Sequence, residues 1–323
     1  MAKAMVVHQV GGPEVLRWEE VPDPTPGPGE ARVRHTAIGL NFIDVYFRTG
    51  VYKAPALPFV PGQEGAGVIE AVGPGVTEVR PGDRVAYAGV SGAYADVRVL
   101  PAARLCVLPS EIDDRTAAAM MLKGMTAEYL LHRCAHVQRG DMIVFHAAAG
   151  GVGTIACQWA AHLGAVVIGT VGSPAKARLA AEHGCAYVID YSAEDIAPRV
   201  RALTGGTGAA YVFDSVGRAT FTASLDCLRT RGMLVLFGQS SGVVAPFDPG
   251  LLAKGSLFLT RPSLSHYIAT RDELLQSSRA LFDVVSRGAV KIEIGQTYAL
   301  ADAVTAHRDL EGRRTSGSTV LLP

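Results

Sequence analysis

One long stretch without charged side chains constrains the fold of this chain more than any other feature. No Asp, Glu, Lys or Arg occurs between Met142 and Ala175, and an apolar run of that length could cross a bilayer. The stretch also contains repeated glycines, and its pattern reads as a strand (Met142–Ala147), a glycine turn, a helix (Thr154–Leu163) and a second strand (Val166–Val171). Strands buried on both faces of a parallel sheet are apolar throughout. The stretch therefore predicts a β–α–β unit and not a membrane span.

The alternation of strands and helices continues beyond this unit. Further strands are predicted at Tyr187–Ile189, Tyr211–Asp214 and Met233–Phe237, with helices between them. This order is typical of β–α–β units around a parallel sheet. The last part of the chain returns to mixed character, with a helix at about Arg271–Ser286 and a final strand at Ser318–Leu322.

The first hundred residues are β-rich and irregular. Four prolines within residues 21–29 remove backbone donors and fix φ, so this segment is neither a helix nor a central strand. Short strands follow at about Ala31–Ile38, Val68–Val72 and Arg84–Tyr87, and Gly-Pro turns separate them. Short strands with this punctuation predict a small, partly open barrel.

The charge balance excludes several classes of protein. Lys and Arg number 30, Asp and Glu also number 30, and 49% of the residues are hydrophobic. Disordered chains combine low hydrophobicity with high net charge, and proteins that bind nucleic acids or membrane surfaces carry a basic face. We therefore expect about two globular domains, and we expect neither a nucleic acid nor a membrane as partner.

The cysteines indicate a reducing compartment. Five of them (Cys106, Cys134, Cys157, Cys185 and Cys227) are scattered along the chain and form no CxxC pair. A disulfide framework or a zinc lobe needs paired spacing, and the first ten residues lack the apolar run of a secretory signal. We expect a cytoplasmic protein.

The glycine turn itself indicates a dinucleotide site. Residues 147–153 read AAAGGVG, so the last two glycines of a G-x-G-x-x-G motif are present and Ala148 replaces the first. One glycine lets the backbone approach a pyrophosphate, another allows close packing of helix and strand, and the helix N-terminus presents unpaired amides to the phosphates. The motif follows an apolar strand and opens a helix, which is the context that such a turn requires.

The end of the second strand favours NADPH over NADH. NAD-binding sites usually place Asp or Glu about twenty residues after the turn, on the ribose 2′-hydroxyl. Residues 170–176 read TVGSPAK here. A 2′-phosphate would be repelled by a carboxylate, whereas Ser173 and Lys176 offer a hydroxyl and a positive charge.

Further segments carry a family resemblance along essentially the whole chain. They are Gly11–Leu16, Gly39–Asp44, Pro61–Gly67, Pro81–Val85, Leu122–Thr126, His146–Gly153, Asp214–Gly217, Phe237–Gly238, Gly255–Leu257 and Thr260–Leu264. With these segments the chain resembles the zinc-free quinone oxidoreductases of the medium-chain dehydrogenase/reductase superfamily, the group that includes zeta-crystallin.

The resemblance implies an α/β fold of two domains. Both chain ends, residues 1–122 and 265–323, would form a GroES-like β-barrel catalytic domain. They would enclose a Rossmann NADPH-binding domain with a doubly wound parallel sheet, residues 123–264. The active site would lie in the cleft between the domains, and the protein would be a homodimer.

The resemblance also bears on metal use. The catalytic ligands of zinc-dependent relatives correspond here to Asn41, Gln63 and Lys123. A catalytic zinc needs three N, S or O ligands and an open position, and this set offers neither a thiolate nor an imidazole. We expect no metal.

Cofactor contacts follow from the resemblance, position by position. The segment near the nicotinamide would include Asn41, Phe42, Ile43, Asp44, Val45 and Tyr46, with Tyr129 reaching it from the other side. Gly151 and Val152 would take the pyrophosphate, and the 2′-phosphate end would be held by Gly172, Ser173, Pro174, Ala175, Lys176 and Tyr191. The riboses and the nicotinamide amide would be bordered by Val216, Gly238, Gln239, Ser240, Ser241, Pro262, Ser263 and Leu264, and Arg313 would be a further phosphate partner.

The implied reaction needs little help from a Lewis acid, because a quinone accepts hydride readily. The protein would contribute proximity, exclusion of water and hydrogen bonds to the developing oxyanion. Tyr46 and Asn41 are the candidate donors, with Tyr52 next.

Two other functions remain open at this point. An NADPH-dependent enoyl or enone reductase that acts on an activated C=C bond would use the same fold and cofactor. A non-catalytic NADPH-binding protein, crystallin-like or RNA-binding, is the second alternative, although the zero net charge argues against an RNA partner.

Overall fold

Prolines and glycines divide the first hundred residues into short strands, whereas apolar runs beyond residue 140 form a parallel sheet. The computed structural model describes residues 1–54 and 56–323. Its strands are β1 (Ala2–Val7), β2 (Leu16–Val21), β3 (Glu30–Leu40), β4 (Glu64–Val72), β5 (Arg84–Ala88), β6 (Val97–Pro101), β7 (Cys106–Val107), β8 (Met142–His146), β9 (Val166–Val171), β10 (Tyr187–Asp190), β11 (Ala209–Asp214), β12 (Leu228–Leu236), β13 (Phe258–Thr260), β14 (Ile294–Ala299) and β15 (Ser318–Leu322).

The helices alternate with these strands in the second half of the chain. They are α1 (Phe42–Thr49), α2 (Asp114–Glu128), α3 (Gly151–His162), α4 (Pro174–Glu182), α5 (Ile196–Leu203), α6 (Phe221–Cys227), α7 (Leu264–Tyr267), α8 (Arg271–Ser286) and α9 (Ala303–Glu311). A π-helical turn over Tyr129–Cys134 follows α2 directly. Within the described residues, no helix is both long and apolar enough to cross a membrane.

The chain divides into two units. Unit 1 comprises Met1–Met125, Ile268–Ser286 and Ile292–Pro323, and unit 2 comprises Thr126–Tyr267 and Arg287–Lys291. Both ends of the chain therefore contribute to unit 1.

Unit 1 contains a mostly antiparallel sheet in the order β14-β15-β3-β4-β5-β7, with β6 also paired to β3. Strand β3 alternates between buried and exposed side chains: Ala31 and Val33 are buried, and Arg34 is exposed. This period of two turns one face of the strand towards a core, which includes Ile69 and Tyr87. The C-terminal strand β15 pairs with the end of β3, so it closes on the segment that leads into α1.

Unit 2 contains a six-stranded sheet in the order β10-β9-β8-β11-β12-β13. Its neighbouring strands run parallel, and the order reverses between β8 and β11. The fully buried Val144, Ile168, Val212 and Leu234 explain why its strands are apolar throughout. The predicted doubly wound α/β fold is confirmed, and such sheets bind ligands at the carboxyl ends of the strands beside the reversal.

Some element boundaries differ from the prediction. The strand Val166–Val171 and the helix Arg271–Ser286 begin and end as expected. Helix α3 begins at Gly151 and not at Thr154. Glycines disfavour a helix in general, but here they are required for close packing. Strand β12 begins at Leu228 and not at Met233, because Leu228 already pairs with Ala209 of β11. A shift in register separates this pair from the regular pairing that begins at Met233.

Candidate functional site

The glycine turn lies at the carboxyl end of β8, where the order of the sheet reverses. A Cβ atom on Gly153 would lie 2.3 Å from the Ala147 carbonyl oxygen, a distance that no side chain can accept. Gly150 is the N-cap residue of α3 and has no side chain to cap the first amides of the helix. The turn therefore presents backbone N–H groups and the positive end of the helix dipole, which suits a pyrophosphate.

The alanine at the first motif position has a structural explanation. Ala148 is fully buried, and its amide donates to the Thr170 carbonyl oxygen at 3.1 Å. A Cβ atom on Gly169 of β9 would lie 2.8 Å from the Ala148 Cβ. The Ala148 side chain therefore fits in the turn because the facing residue on the neighbouring strand is a glycine. Ala147 takes up the turn with φ of 55°, a left-handed conformation that costs a non-glycine residue free energy.

The residues expected at the 2′-phosphate surround the end of β9. Ser173 is the N-cap residue of α4, and its hydroxyl accepts from the Lys176 amide at 3.4 Å. A Cβ atom on Gly172 would lie 2.5 Å from the Tyr191 hydroxyl oxygen, so the structure places Tyr191 directly at this turn. The nearby Asp190 carboxylate accepts from the Ser192 amide and hydroxyl at 3.0 and 2.7 Å. The turn thus combines a hydroxyl, a phenol and a lysine, which suits a phosphate.

The segments after β11 and β12 are joined by hydrogen bonds. The Ser240 amide donates to the Ser215 carbonyl oxygen at 3.0 Å, and the Ser241 amide donates to the Val216 carbonyl oxygen at 2.8 Å. A Cβ atom on Gly238 would lie 2.6 Å from the Ser215 carbonyl oxygen. The structure therefore brings together Val216, Gly238, Ser240 and Ser241, which the resemblance assigned to one ligand.

Two further expected contacts lie in unit 2. Arg261 donates to the Gln239 side-chain oxygen at 3.3 Å, which ties the segment of Pro262, Ser263 and Leu264 to Gln239. Tyr129 is buried, and its ring stacks on that of Tyr267 with centroids 4.4 Å apart. This stack packs the π-helical turn against α7.

The candidate catalytic residues belong to unit 1. Asn41 is the N-cap residue of α1, and Tyr46 lies on the helix with its side chain largely buried. The rings of Tyr46 and Tyr52 contact edge to face, with centroids 5.1 Å apart, and the Tyr52 amide donates to the Tyr46 carbonyl oxygen at 2.9 Å. The structure therefore brings the three candidates together around one short helix. Arg313, also in unit 1, is exposed after α9.

A buried ion pair stands beside Asn41. The Lys123 ammonium donates to Glu64 Oε1, and Asn41 Nδ2 donates to the same oxygen at 3.0 Å. The Leu122 amide donates to Glu64 Oε2 at 2.6 Å. Two of the three positions that hold ligands in zinc-dependent relatives thus converge on a carboxylate inside the protein. Within residues 1–54 and 56–323, no three His, Cys, Asp or Glu residues are grouped as metal ligands.

Asp44 connects α1 to a second buried network. Its Oδ2 accepts from the Asn41 amide at 2.9 Å and from the Tyr94 hydroxyl at 3.1 Å. Burial raises the pKa of Asp44 to about 7, against the lowering effect of these hydrogen bonds. The Tyr94 hydroxyl also contacts His307 Nε2 at 3.1 Å, and His307 Nδ1 contacts Arg48 at 3.1 Å. Asp44, which was expected near the nicotinamide, is thus fully enclosed and orders the start of α1.

The sequence reasoning missed Glu64, Tyr94 and His307 as parts of this arrangement. Glu64 stands beside Gln63 in a quoted motif, and that position was the available signal. Tyr94 and His307 lie far from α1 in the sequence, and no local pattern connects them to it.

The comparisons with known proteins define the class first. The model described as "Alcohol dehydrogenase GroES-like domain" matches residues 27–137, and the model described as "Zinc-binding dehydrogenase" matches residues 151–279. These two models together identify a medium-chain dehydrogenase/reductase. Its GroES-like part falls on the β-rich first half and its second part on the parallel sheet.

Full-length relatives then give the family. The chain is 53% identical to a quinone oxidoreductase of Pseudomonas aeruginosa, with 100% of both chains covered. It is 47% identical to a 2-haloacrylate reductase of Burkholderia sp, with 100% of this chain and 99% of that one covered. The structure of the Escherichia coli quinone oxidoreductase complexed with NADPH covers 100% of both chains with a TM-score of 0.98 at 46% identity. The chain belongs to the quinone oxidoreductase family of the medium-chain dehydrogenases/reductases.

Proposed function

We propose that this chain is an NADPH-dependent quinone oxidoreductase. The observation that carries the proposal lies at the carboxyl ends of the unit 2 strands, where the turns at Gly153, Gly172 and Gly238 pack too closely to admit a Cβ atom. Full-length relatives with this activity support it: a quinone oxidoreductase of Escherichia coli has been solved with NADPH at a TM-score of 0.98.

The 2′-phosphate is the group that we expect to select the cofactor. Ser173 and Lys176 lie at the end of β9, and Tyr191 reaches Gly172 from the end of β10. A charge-assisted contact to phosphate is stronger than a neutral hydrogen bond. Lys176→Glu replaces this attraction with repulsion, so it should weaken NADPH binding by about tenfold or more while NADH binding changes little. Titration of both cofactors checks this, and equal losses for both would contradict the assignment.

When bound, NADPH would supply the hydride that reduces the acceptor. The residues of this chain would orient the quinone, exclude water and donate hydrogen bonds to its oxygen. Asn41 Nδ2 donates to Glu64 Oε1 at 3.0 Å and to the Gly39 carbonyl oxygen at 3.5 Å, which uses both of its hydrogens. We assign the first donor role to the Tyr46 hydroxyl and a supporting role to Tyr52, whose ring contacts that of Tyr46. Asn41 then acts mainly through the fixed start of α1.

Reduction of an activated C=C bond is the second candidate function. A relative that is 47% identical over the full length is a 2-haloacrylate reductase. Steady-state oxidation of NADPH with 1,4-naphthoquinone, 2-alkenals and enoyl thioesters separates the two readings. We expect the quinone to give the highest kcat/KM. A preference for the alkenes would favour the second candidate, and binding of NADPH without turnover on any acceptor would contradict both.

We further propose a cytoplasmic homodimer. The edge strand β13 exposes 55% of Phe258, and Val243 and Leu251 in the segment before β13 are also exposed. An unpaired strand edge with apolar side chains favours pairing with a second chain. The five cysteines are free thiols, which suits a reducing compartment. Sedimentation analysis checks the oligomeric state, and Phe258→Lys should shift it towards the monomer.

A further inference from the structure

A buried carboxylate at the end of β11 collects an unusual number of hydrogen bonds. Asp214 Oδ1 accepts from the Val216 and Gly217 amides at 2.7 and 3.0 Å. Its Oδ2 accepts from the Thr220 and Ser224 hydroxyls at 2.7 and 2.8 Å. Asp214 is fully buried, and four donors satisfy its charge as a buried carboxylate requires.

The same residue holds the end of the neighbouring strand. The Asp214 carbonyl oxygen accepts from the Phe237 amide at 2.8 Å and from the Gly238 amide at 3.3 Å. Both segments that would border the riboses, Val216–Gly217 and the segment from Gly238 on, therefore depend on one residue for their position.

A chain of side chains approaches the carboxylate from the strands on its other side. Because the single hydroxyl proton of Ser224 points to Asp214, Ser224 Oγ must accept from His146 Nε2, which lies 2.9 Å away. His146 Nδ1 is then an acceptor, and the Thr170 hydroxyl donates to it at 2.9 Å. Burial lowers the pKa of His146, although Asp214 opposes this, which favours the neutral ring. The hydrogen bonds of Ser224 then favour the tautomer with its proton on Nε2.

The residues of this hydrogen-bond chain lie at the carboxyl ends of the strands, where the dinucleotide is proposed to bind. Thr170, His146 and Asp214 lie at the carboxyl ends of β9, β8 and β11, which are neighbours in the sheet. The chain of hydrogen bonds thus ties three strand ends together immediately below the glycine turn.

We propose that Asp214, Ser224 and His146 are positioning residues for NADPH. All three side chains are fully buried, and through the Asp214 carboxylate they fix the Val216 and Gly217 amides in the geometry that the dinucleotide needs. This inference rests on the proposed NADPH site.

The first test compares two buried serines. Ser224→Ala breaks the chain between His146 and Asp214, and Ser278→Ala removes a buried hydroxyl of unit 1 that donates to Leu275. Fluorescence titration gives the NADPH Kd, and steady-state kinetics with 1,4-naphthoquinone gives KM and kcat. For Ser224→Ala we expect Kd and KM for NADPH to rise about tenfold, while kcat at saturation falls less. The control should keep the wild-type Kd.

Two outcomes distinguish an error in the role of these positioning residues from an error in the proposed function. If Ser224→Ala keeps the wild-type Kd for NADPH, the network only stabilises the fold and the inference is wrong. If the wild-type chain itself does not bind NADPH, the proposed function is wrong, and the comparison of variants no longer applies.

A second variant, Asp214→Asn, keeps the volume of the side chain and tests the direction of the hydrogen bonds between Asp214, Ser224 and His146. In Asp214→Asn the amide oxygen must face the Val216 and Gly217 amides, because backbone N–H groups cannot turn. The new NH₂ group then donates to Ser224, whose hydroxyl turns to His146 Nε2, and the imidazole proton moves to Nδ1. Nitrogen NMR of His146 should show this change of tautomer. Fluorescence titration should show weaker NADPH binding, because a neutral amide oxygen holds the Val216 and Gly217 amides less strongly than a carboxylate does. An unchanged tautomer or an unchanged Kd would overturn the inference.

Discussion

Removal of the Lys123 ammonium should destabilise unit 1 strongly. The Lys123 side chain is 5% exposed and that of Glu64 is 0% exposed, so Lys123→Met leaves a carboxylate in the interior with only the Asn41 and Leu122 donors. Breaking a buried pair from one side costs about 3–5 kcal/mol. We expect a loss of unfolding free energy in this range, whereas Lys3→Met on the exposed face of β1 should change it by less than about 0.5 kcal/mol.

The two tryptophans allow unit 1 to be followed by itself. Trp18 belongs to unit 1 and Trp159 to unit 2, so urea unfolding in a Trp159→Phe background reports on unit 1. Glu64→Gln and the double variant complete a thermodynamic cycle. The double variant should be at least about 1 kcal/mol more stable than the sum of the single losses predicts. Additive losses, or a loss below about 1 kcal/mol for Lys123→Met, would refute a buried and paired charge at this position.

Three further predictions concern the candidate residues of the two units. Gly153→Ala should abolish NADPH binding, measured by fluorescence titration, because its Cβ would lie 2.3 Å from a backbone oxygen; retained affinity would contradict the turn geometry. Since the pKa of Asp44 is raised to about 7, the native state holds a proton that the unfolded chain releases near pH 4. The free energy of unfolding should therefore decrease as the pH rises from about 4 to about 7. In urea titrations, Asp44→Asn should make this free energy depend less on pH. Tyr46→Phe should lower kcat by about tenfold or less; complete loss with intact NADPH binding would indicate obligatory acid catalysis.

The glycine turn and the turn after β9 in unit 2 could be predicted because their signals are local. An apolar strand, a glycine turn and a helix follow one another within residues 142–163, and Ser173 and Lys176 lie in one short turn. The steric requirements of a dinucleotide-binding turn are met by residues that are close together in the sequence. Gly169 shows the limit of local reasoning, since a Cβ atom there would lie 2.5 Å from Cys185 Sγ and 2.8 Å from the Ala148 Cβ, both outside its own strand.

The buried polar contacts of unit 1 could not be predicted in the same way. Glu64 meets Lys123 across 59 positions of the chain, and Tyr94 meets His307 across 213. Each of these side chains, taken alone, is as compatible with a solvated surface as with the interior. Only the fold determines that they are buried together, and burial is what turns them into partners.

The central claim is best tested by the rates of quinone reduction with the two cofactors. Purified chain is assayed with saturating 1,4-naphthoquinone, and kcat/KM is measured for NADPH and for NADH. We predict turnover with a preference for NADPH of about tenfold or more, which corresponds to one charge-assisted contact to the 2′-phosphate. Equal kcat/KM for both cofactors, or no oxidation of NADPH by the quinone, would contradict it.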